Sequence, residues 1–309
     1  MKVIGSRGDH RRGLTGFALA LVAGLTLGAC GGPTSPAADQ VGADTSVDPA
    51  LVKLLPSDVK SSKSLKVATG TGYPPLEFTD ENGELTGFDV ELLRLIGEKL
   101  DVTMNFEKVS FDALITSIQG GRYDIGAYGV LDKPERQDLV TFVDHLNTSS
   151  SILMRADDDT ASDVSTIDDL CGLSAGANAG ETQVTDLEAA SDRCVKAGDS
   201  AIDVQTFTES TDARLALTSS RIDAIVGGTP GLVYYAEQEP RVQIAGKPYR
   251  FLPYGLVIAK DRQDLVEAIQ KALQQLIDDG TYAELLDKYD LAENGVDKAT
   301  VNIGTENQG

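Results

Sequence analysis

One unit occurs twice in this chain. Arg122-Tyr123-Asp124-Ile125-Gly126-Ala127 follows a helical pattern that stops at Gly120-Gly121, and Arg221-Ile222-Asp223-Ala224-Ile225-Val226-Gly227 follows one that stops at Ser219-Ser220. Each reads as helix, small pair, Arg-x-Asp, apolar strand and glycine. A repeat about a hundred residues apart points to two related lobes. The flanking segments alternate between strand and helix periods. Leu65-Lys66-Val67-Ala68 reads as a strand, Leu92, Leu95, Ile96 and Leu100 share one helical face, and Val102, Met104 and Phe106 alternate as in a strand. Ser110 can cap a helix carrying Leu114, Ile115 and Ile118. Such alternation predicts an α/β fold with mixed, mostly parallel sheets. Ligands in open α/β sheets bind at the carboxyl ends of strands. The loops Tyr128-Gly129-Val130-Leu131 and Gly227-Gly228-Thr229-Pro230 occupy equivalent strand ends of the two units.

The N-terminal segment has the character of an export signal. Lys2, Arg7, Arg11 and Arg12 precede an apolar run from Gly13 to Leu27, short for a transmembrane helix. The run ends in Leu27-Gly28-Ala29-Cys30, which is similar to a bacterial lipobox and implies cleavage after residue 29 and lipidation of Cys30. Residues 30–63 are expected to be the lipidated cysteine and a flexible tether, with Pro49–Leu55 as a short helical turn against the body. Residues 292–309 read as a polar tail. The formal charge is -21, and removing residues 1–29 takes away a net +3. So acidic a chain is a poor nucleic-acid binder, which needs clustered Lys and Arg. Cys171 and Cys194 are the cysteines left in the exported body. An even count in an oxidising compartment predicts a disulfide.

Several residues have the chemistry of a small-molecule grip. Pro134 suits a first helical turn, which puts Arg136 near a helix start, where its guanidinium can take a carboxylate in a two-pronged pair. The alternative is a surface ion pair with Asp132 or Glu135. Thr182 follows the turn Ala179-Gly180-Glu181, and the helix it opens offers free N–H groups to an anion. The alternative there is a plain N-cap. Tyr73 projects from a turn between Gly72 and two prolines, whereas Phe111 alone reads as core. Pro74, Pro75 and Glu77 read as structural. His10 lies in the leader, so His10 and His145 cannot together form a metal site, and no metal or cofactor is expected.

Gly72-Tyr73-Pro74-Pro75-Leu76-Glu77-Phe78, Gly87-Phe88-Asp89-Val90-Glu91-Leu92, Phe111-Asp112-Ala113-Leu114, Lys133-Pro134-Glu135-Arg136, Gly180-Glu181-Thr182-Gln183 and Tyr254-Gly255-Leu256-Val257 together resemble the family 3 extracytoplasmic solute-binding proteins of polar amino acid ABC transporters. The resemblance implies a two-lobed type 2 periplasmic-binding-protein fold with a ligand cleft. Lobe 1 would comprise 64–151 and 251–291, and lobe 2 would comprise 152–250. Hinge strands would cross near Ser149–Ser151 and Tyr249–Tyr254. It further implies that Arg136 and Thr182 hold a ligand carboxylate and that Tyr73 and Phe111 stack on the ligand. Tyr128, Gly129, Leu131, Glu181, Gly228 and Thr229 complete the expected site. Three of these depart from the family pattern, one of them Tyr128, where a small residue or Ser is usual. Leu131 stands where a Ser or Thr is usual, and Gly228 where an Asp is usual, and those groups hold an α-ammonium. Glu181 could supply the missing charge, and Tyr128 a ring face. The implied role is a lipid-anchored, monomeric, extracytoplasmic binding component that captures an amino acid or derivative by hinge closure for a permease and its ATPase. A secreted dehydratase-type enzyme and a sensory ligand-binding protein are the alternatives on the same fold.

Overall fold

The computed structural model describes residues 46–305. The expected leader, Cys30, the first part of the tether and the last residues of the tail lie outside them. The segment up to residue 63 is folded rather than a tether from Pro49 onward. It forms helices α1 (Pro49–Leu54) and α2 (Ser57–Ser62). The reason is an apolar stripe, since Leu51, Leu55 and Val59 are all buried in the core. Asp48 caps α1 by accepting the Ala50 N–H at 2.7 Å.

The first lobe is built on β1 (Ser64–Thr69), flanked in parallel by β5 (Thr103–Lys108) and β6 (Ile125–Ala127). A small antiparallel sheet of β2 (Gly72–Tyr73), β3 (Glu77–Thr79) and β4 (Leu85–Thr86) leads into α3 (Phe88–Leu100). Gly87 has φ +122°, and a β-carbon there would overlap the Leu76 carbonyl, so only glycine admits this entry to α3. Helix α4 (Phe111–Gln119) crosses from β5 to β6, and the short α5 (Pro134–Gln137) precedes β7 (Val140–Arg155). Ser110 stands at the N-cap of α4 in extended geometry, but its side chain makes no cap bond.

The second lobe repeats the plan. Its central strand β8 (Ser174–Asn178) lies between β9 (Asp203–Phe207) and β10 (Ala224–Gly228), all parallel, with α6 (Thr182–Ala197) and α7 (Ser210–Thr218) as crossovers. The repeated Arg-x-Asp has one role in both lobes. Asp124 accepts the Lys66 N–H of β1 at 2.9 Å, and Asp223 accepts the Ser174 N–H of β8 at 2.9 Å. Each carboxylate therefore anchors a central strand. The disulfide between Cys171 and Cys194, with Cα atoms 5.6 Å apart, ties the turn before β8 to α6. Helix α8 (Thr229–Gln238) leads into β11 (Val242–Ala259).

Strands β7 and β11 pair antiparallel and run through both lobes, so the two sheets become one path ordered β5-β1-β6-β11-β7-β10-β8-β9. The β7–β11 register shifts between Ala245 and Tyr249, Tyr249 and Leu252, and Tyr254 and Gly255. Arg250, inside this stretch, has φ +51°. Such irregular pairing is where a sheet bends most readily. One hydrophobic core gathers residues 51–146 with 252–299, whereas smaller clusters gather residues within 152–245. Helices α9 (Gln263–Asp278) and α10 (Thr281–Lys288) return to the first core.

The segment from residue 292 is not a free polar tail as far as residue 305. A 3₁₀ turn at Ala292–Asn294 leads to β12 (Thr300–Val301), which pairs with β7. Two fully buried carboxylates explain this. Asp132 accepts the Gly304 N–H at 2.7 Å, and Asp144 accepts the Thr300 hydroxyl at 3.3 Å and the Ile303 N–H at 3.4 Å. Buried carboxylates require donors, and this segment supplies them.

Candidate functional site

The loops after β6 and β10 face each other across the junction of the lobes. Between them lies a narrow space of ≈ 10 Å³. Its first-lobe walls include Tyr73, Phe111, Gly129, Leu131 and Arg136, and its second-lobe walls include Glu181, Thr182 and Gly228. Eight of the ten residues expected at the site are therefore brought together. Tyr128 and Thr229 are not among the lining residues. Tyr128 packs edge-on against Phe111 at 5.4 Å between ring centroids and covers Gly70, so it backs the wall. The Thr229 hydroxyl lies 2.7 Å from the hydroxyls of both Ser149 and Ser151 on β7. That hydroxyl is engaged with β7.

Arg136 is buried in α5. Its Nη1 donates to the Leu131 carbonyl at 3.2 Å, and its Nη2 donates across the cleft to the Gly180 carbonyl at 3.0 Å. It takes neither expected surface partner, since Glu135 pairs with Lys133 at 2.8 Å and Asp132 accepts from Gln137 and Gly304. A guanidinium carries five donors, so the fork keeps N–H groups for an anion. Burial pulls the Arg136 pKa down, and Glu181 is the leading charge that opposes this. The guanidinium carbon lies 5.6 Å from the Phe111 ring centroid, which holds the fork over an aromatic face.

Thr182 faces Arg136 from the other lobe as the first residue of α6. Glu181 occupies the N-cap, so Thr182 is not a plain cap. Its hydroxyl oxygen is buried and has no hydrogen-bond partner. An unsatisfied buried hydroxyl costs about 1–3 kcal/mol unless something bonds it. Beside it, Glu181 accepts Asn178 Nδ2 at 2.9 Å. Burial pushes the Glu181 carboxyl up to about 7, against the pull of Asn178 and Arg136. The Gly180 turn (φ +82°) lets the two lobes touch, because a β-carbon there would press on the Asp112 backbone at 2.9 Å.

The aromatic wall explains Gly228. The hydroxyls of Tyr73 and Tyr254 are 3.1 Å apart, and a β-carbon on Gly228 would overlap both. The Tyr73 ring also leaves no room for a side chain on Gly129 or Gly231. An acidic residue at 228 would have to displace the tyrosine hydroxyls. Tyr254 and Gln183 line the space and were not expected there. Gln183 is buried and donates to the Ser150 hydroxyl at 2.8 Å, linking α6 to β7. The adjacency of Gln183 to Thr182 was a usable signal, whereas Tyr254 reaches the site only through the pairing of β11.

Relatives of known identity share this architecture. The family model for bacterial extracellular solute-binding proteins, family 3, matches residues 65–292. The arginine-binding protein of Corynebacterium glutamicum is 27% identical over 256 residues, spanning 82% of this chain and 83% of the relative. An ancestral arginine-binding protein solved with arginine superposes with TM-score 0.68 at 31% identity, covering 74% of this chain and 98% of that one. An ancestral amino acid-binding protein described as a precursor of cyclohexadienyl dehydratase gives 0.65 at 28% identity, covering 75% and 97%. The fold is that of the type 2 periplasmic binding proteins. This chain belongs to the bacterial extracellular solute-binding proteins of family 3.

Proposed function

We propose that this protein is the lipid-anchored, monomeric binding component of an ABC importer, working outside the cytoplasm, and that it captures a small carboxylate-bearing solute. The solute is an amino acid or amino acid derivative, gripped at its carboxylate by Arg136 from one lobe and Thr182 from the other. The observation that carries this reading is the unpartnered Thr182 hydroxyl lining the same small space as the Arg136 fork. A carboxylate bonded to both would satisfy the hydroxyl and draw the lobes together, which is hinge closure. The ring faces of Tyr73 and Phe111 bound the rest of the ligand, and Glu181 is the carboxylate placed to meet an ammonium in the absence of an acid at 228. The family and the named amino acid-binding relatives support the transport role, with a permease and its ATPase as partners.

The test is a thermal-shift screen of amino acids, betaines, opines and organic acids, since a ligand raises stability by linkage. Calorimetry on the best ligand should then show that Arg136→Ala weakens binding by about 2–5 kcal/mol. Undiminished affinity would remove Arg136 from the grip. Turnover of prephenate-like acids by the purified protein would instead favour a dehydratase, with Glu181 as the cleft acid.

A further inference from the structure

A second, narrow space of ≈ 20 Å³ adjoins the first and shares Tyr73 and Glu181 as walls. It opens into the second lobe, between α7 and β10, where Asn178, Ser210 and Arg214 line it together with apolar Ile225 and Leu232. Arg214 lies mid-way along α7 and is half-buried. Among the described residues it has no ion-pair partner. The other enclosed arginines of this lobe do have one. Arg155 pairs with Asp158 and Asp223, and Arg250 pairs with Asp186. The Arg214 guanidinium carbon lies 4.7 Å from the Tyr235 ring centroid, which orients the fork and leaves its hydrogen-bond donors uncommitted.

One neighbouring polar group also presents a donor. Asn178 Nδ2 donates to Glu181 at 2.9 Å and to the Ser210 oxygen at 2.7 Å. The Ser210 hydroxyl accepts that bond and keeps its own proton to give. We propose that this compartment seats a second anionic group, so that the solute is an amino acid or derivative bearing a carboxylate at its far end. The inference rests on the reading of Arg136 and Thr182 as the seat of the first carboxylate. A ligand with a cationic far end would meet Arg214 as a like charge in a partly desolvated space, where repulsion is poorly screened.

Calorimetry with the folded mature protein tests the proposal, using L-glutamate and L-α-aminoadipate as diacid probes and L-glutamine and L-arginine as neutral and cationic counterparts. A diacid should bind about 10- to 100-fold more tightly than glutamine, the span of one charge-assisted bond. Arg214→Gln should collapse that ratio, Arg214→Lys should retain part of it, and Arg214→Glu should turn the preference toward arginine. Thermal melts identify which variants are folded. If glutamine or arginine binds at least as tightly as both diacids, or if a folded Arg214→Gln leaves the ratio unchanged, the distal seat is overturned. If that binding is still lost in Arg136→Ala, the first carboxylate seat stands and only the second falls. Binding of none of the probes overturns the distal seat for this ligand class.

Discussion

Gly228 shows how one residue sets what the site can hold. The hydroxyls of Tyr73 and Tyr254 occupy the place a β-carbon on Gly228 would take, so an acidic side chain at 228 would have to displace them. Gly228→Ala should therefore oppose approach of the lobes and weaken ligand binding by about 1–3 kcal/mol, the usual cost of overpacking. Adding Tyr254→Phe, which removes one overlapping oxygen, should restore part of the loss. Calorimetry on both variants checks this, and a loss that the second change does not relieve would place the cause elsewhere. Glu181 gives a pH signature. Burial raises its carboxyl to about 7, so the free protein carries a neutral Glu181 below that pH and a charged one above it. For a ligand with an ammonium group, affinity should climb as pH rises through about 7 and then level off, because only the ionised carboxylate pairs with the cation. Glu181→Gln should flatten the profile. An affinity that falls over the same interval would show that Glu181 does not meet a cation.

At the scale of elements, the closing strand β12 depends on two buried carboxylates. Burial and the neighbouring Asp132 carboxyl hold Asp144 well above the ordinary carboxylate range. In the folded chain Asp144 keeps its proton where the unfolded chain has released it. Stability therefore falls as pH rises from the ordinary carboxylate range toward the raised value, because the folded state binds more protons there. Asp144→Asn removes that titration and keeps an acceptor for Thr300 and Ile303. Urea unfolding across a pH series should show the variant gaining on the wild-type protein as pH rises. A constant difference would mean that Asp144 does not titrate in this way. The elements also show what the sequence makes legible. The Arg-x-Asp repeat announces two equivalent αβ units because each Asp anchors a central strand, a local need that leaves a local signature. Helix α1 is legible in the apolar run Pro49–Leu55, whereas α2 and strand β12 are harder to read. They are short and largely polar, and contacts with distant residues, such as Asp132 with Gly304, hold the closing segment in place.

Across the whole molecule, the lobes meet through groups far apart in sequence. Arg136 bonds the Gly180 carbonyl, Lys108 pairs with Glu209 at 3.1 Å, and the Phe78 and Tyr234 rings lie 6.3 Å apart. This also explains which residues of the candidate site the sequence discloses. Arg136 and Thr182 stand out because their chemistry is tied to nearby turns. Tyr254 and Arg214 read as an ordinary strand aromatic and an ordinary helix charge, and only tertiary packing turns them toward the cleft. The central claim is that Arg136 and Thr182 hold one carboxylate from opposite lobes. A double-mutant cycle by calorimetry with Arg136→Ala, Thr182→Val and the combined variant measures this directly. The two losses should couple by about 0.5–3 kcal/mol, as for groups sharing one partner. Losses that simply add would contradict a shared carboxylate.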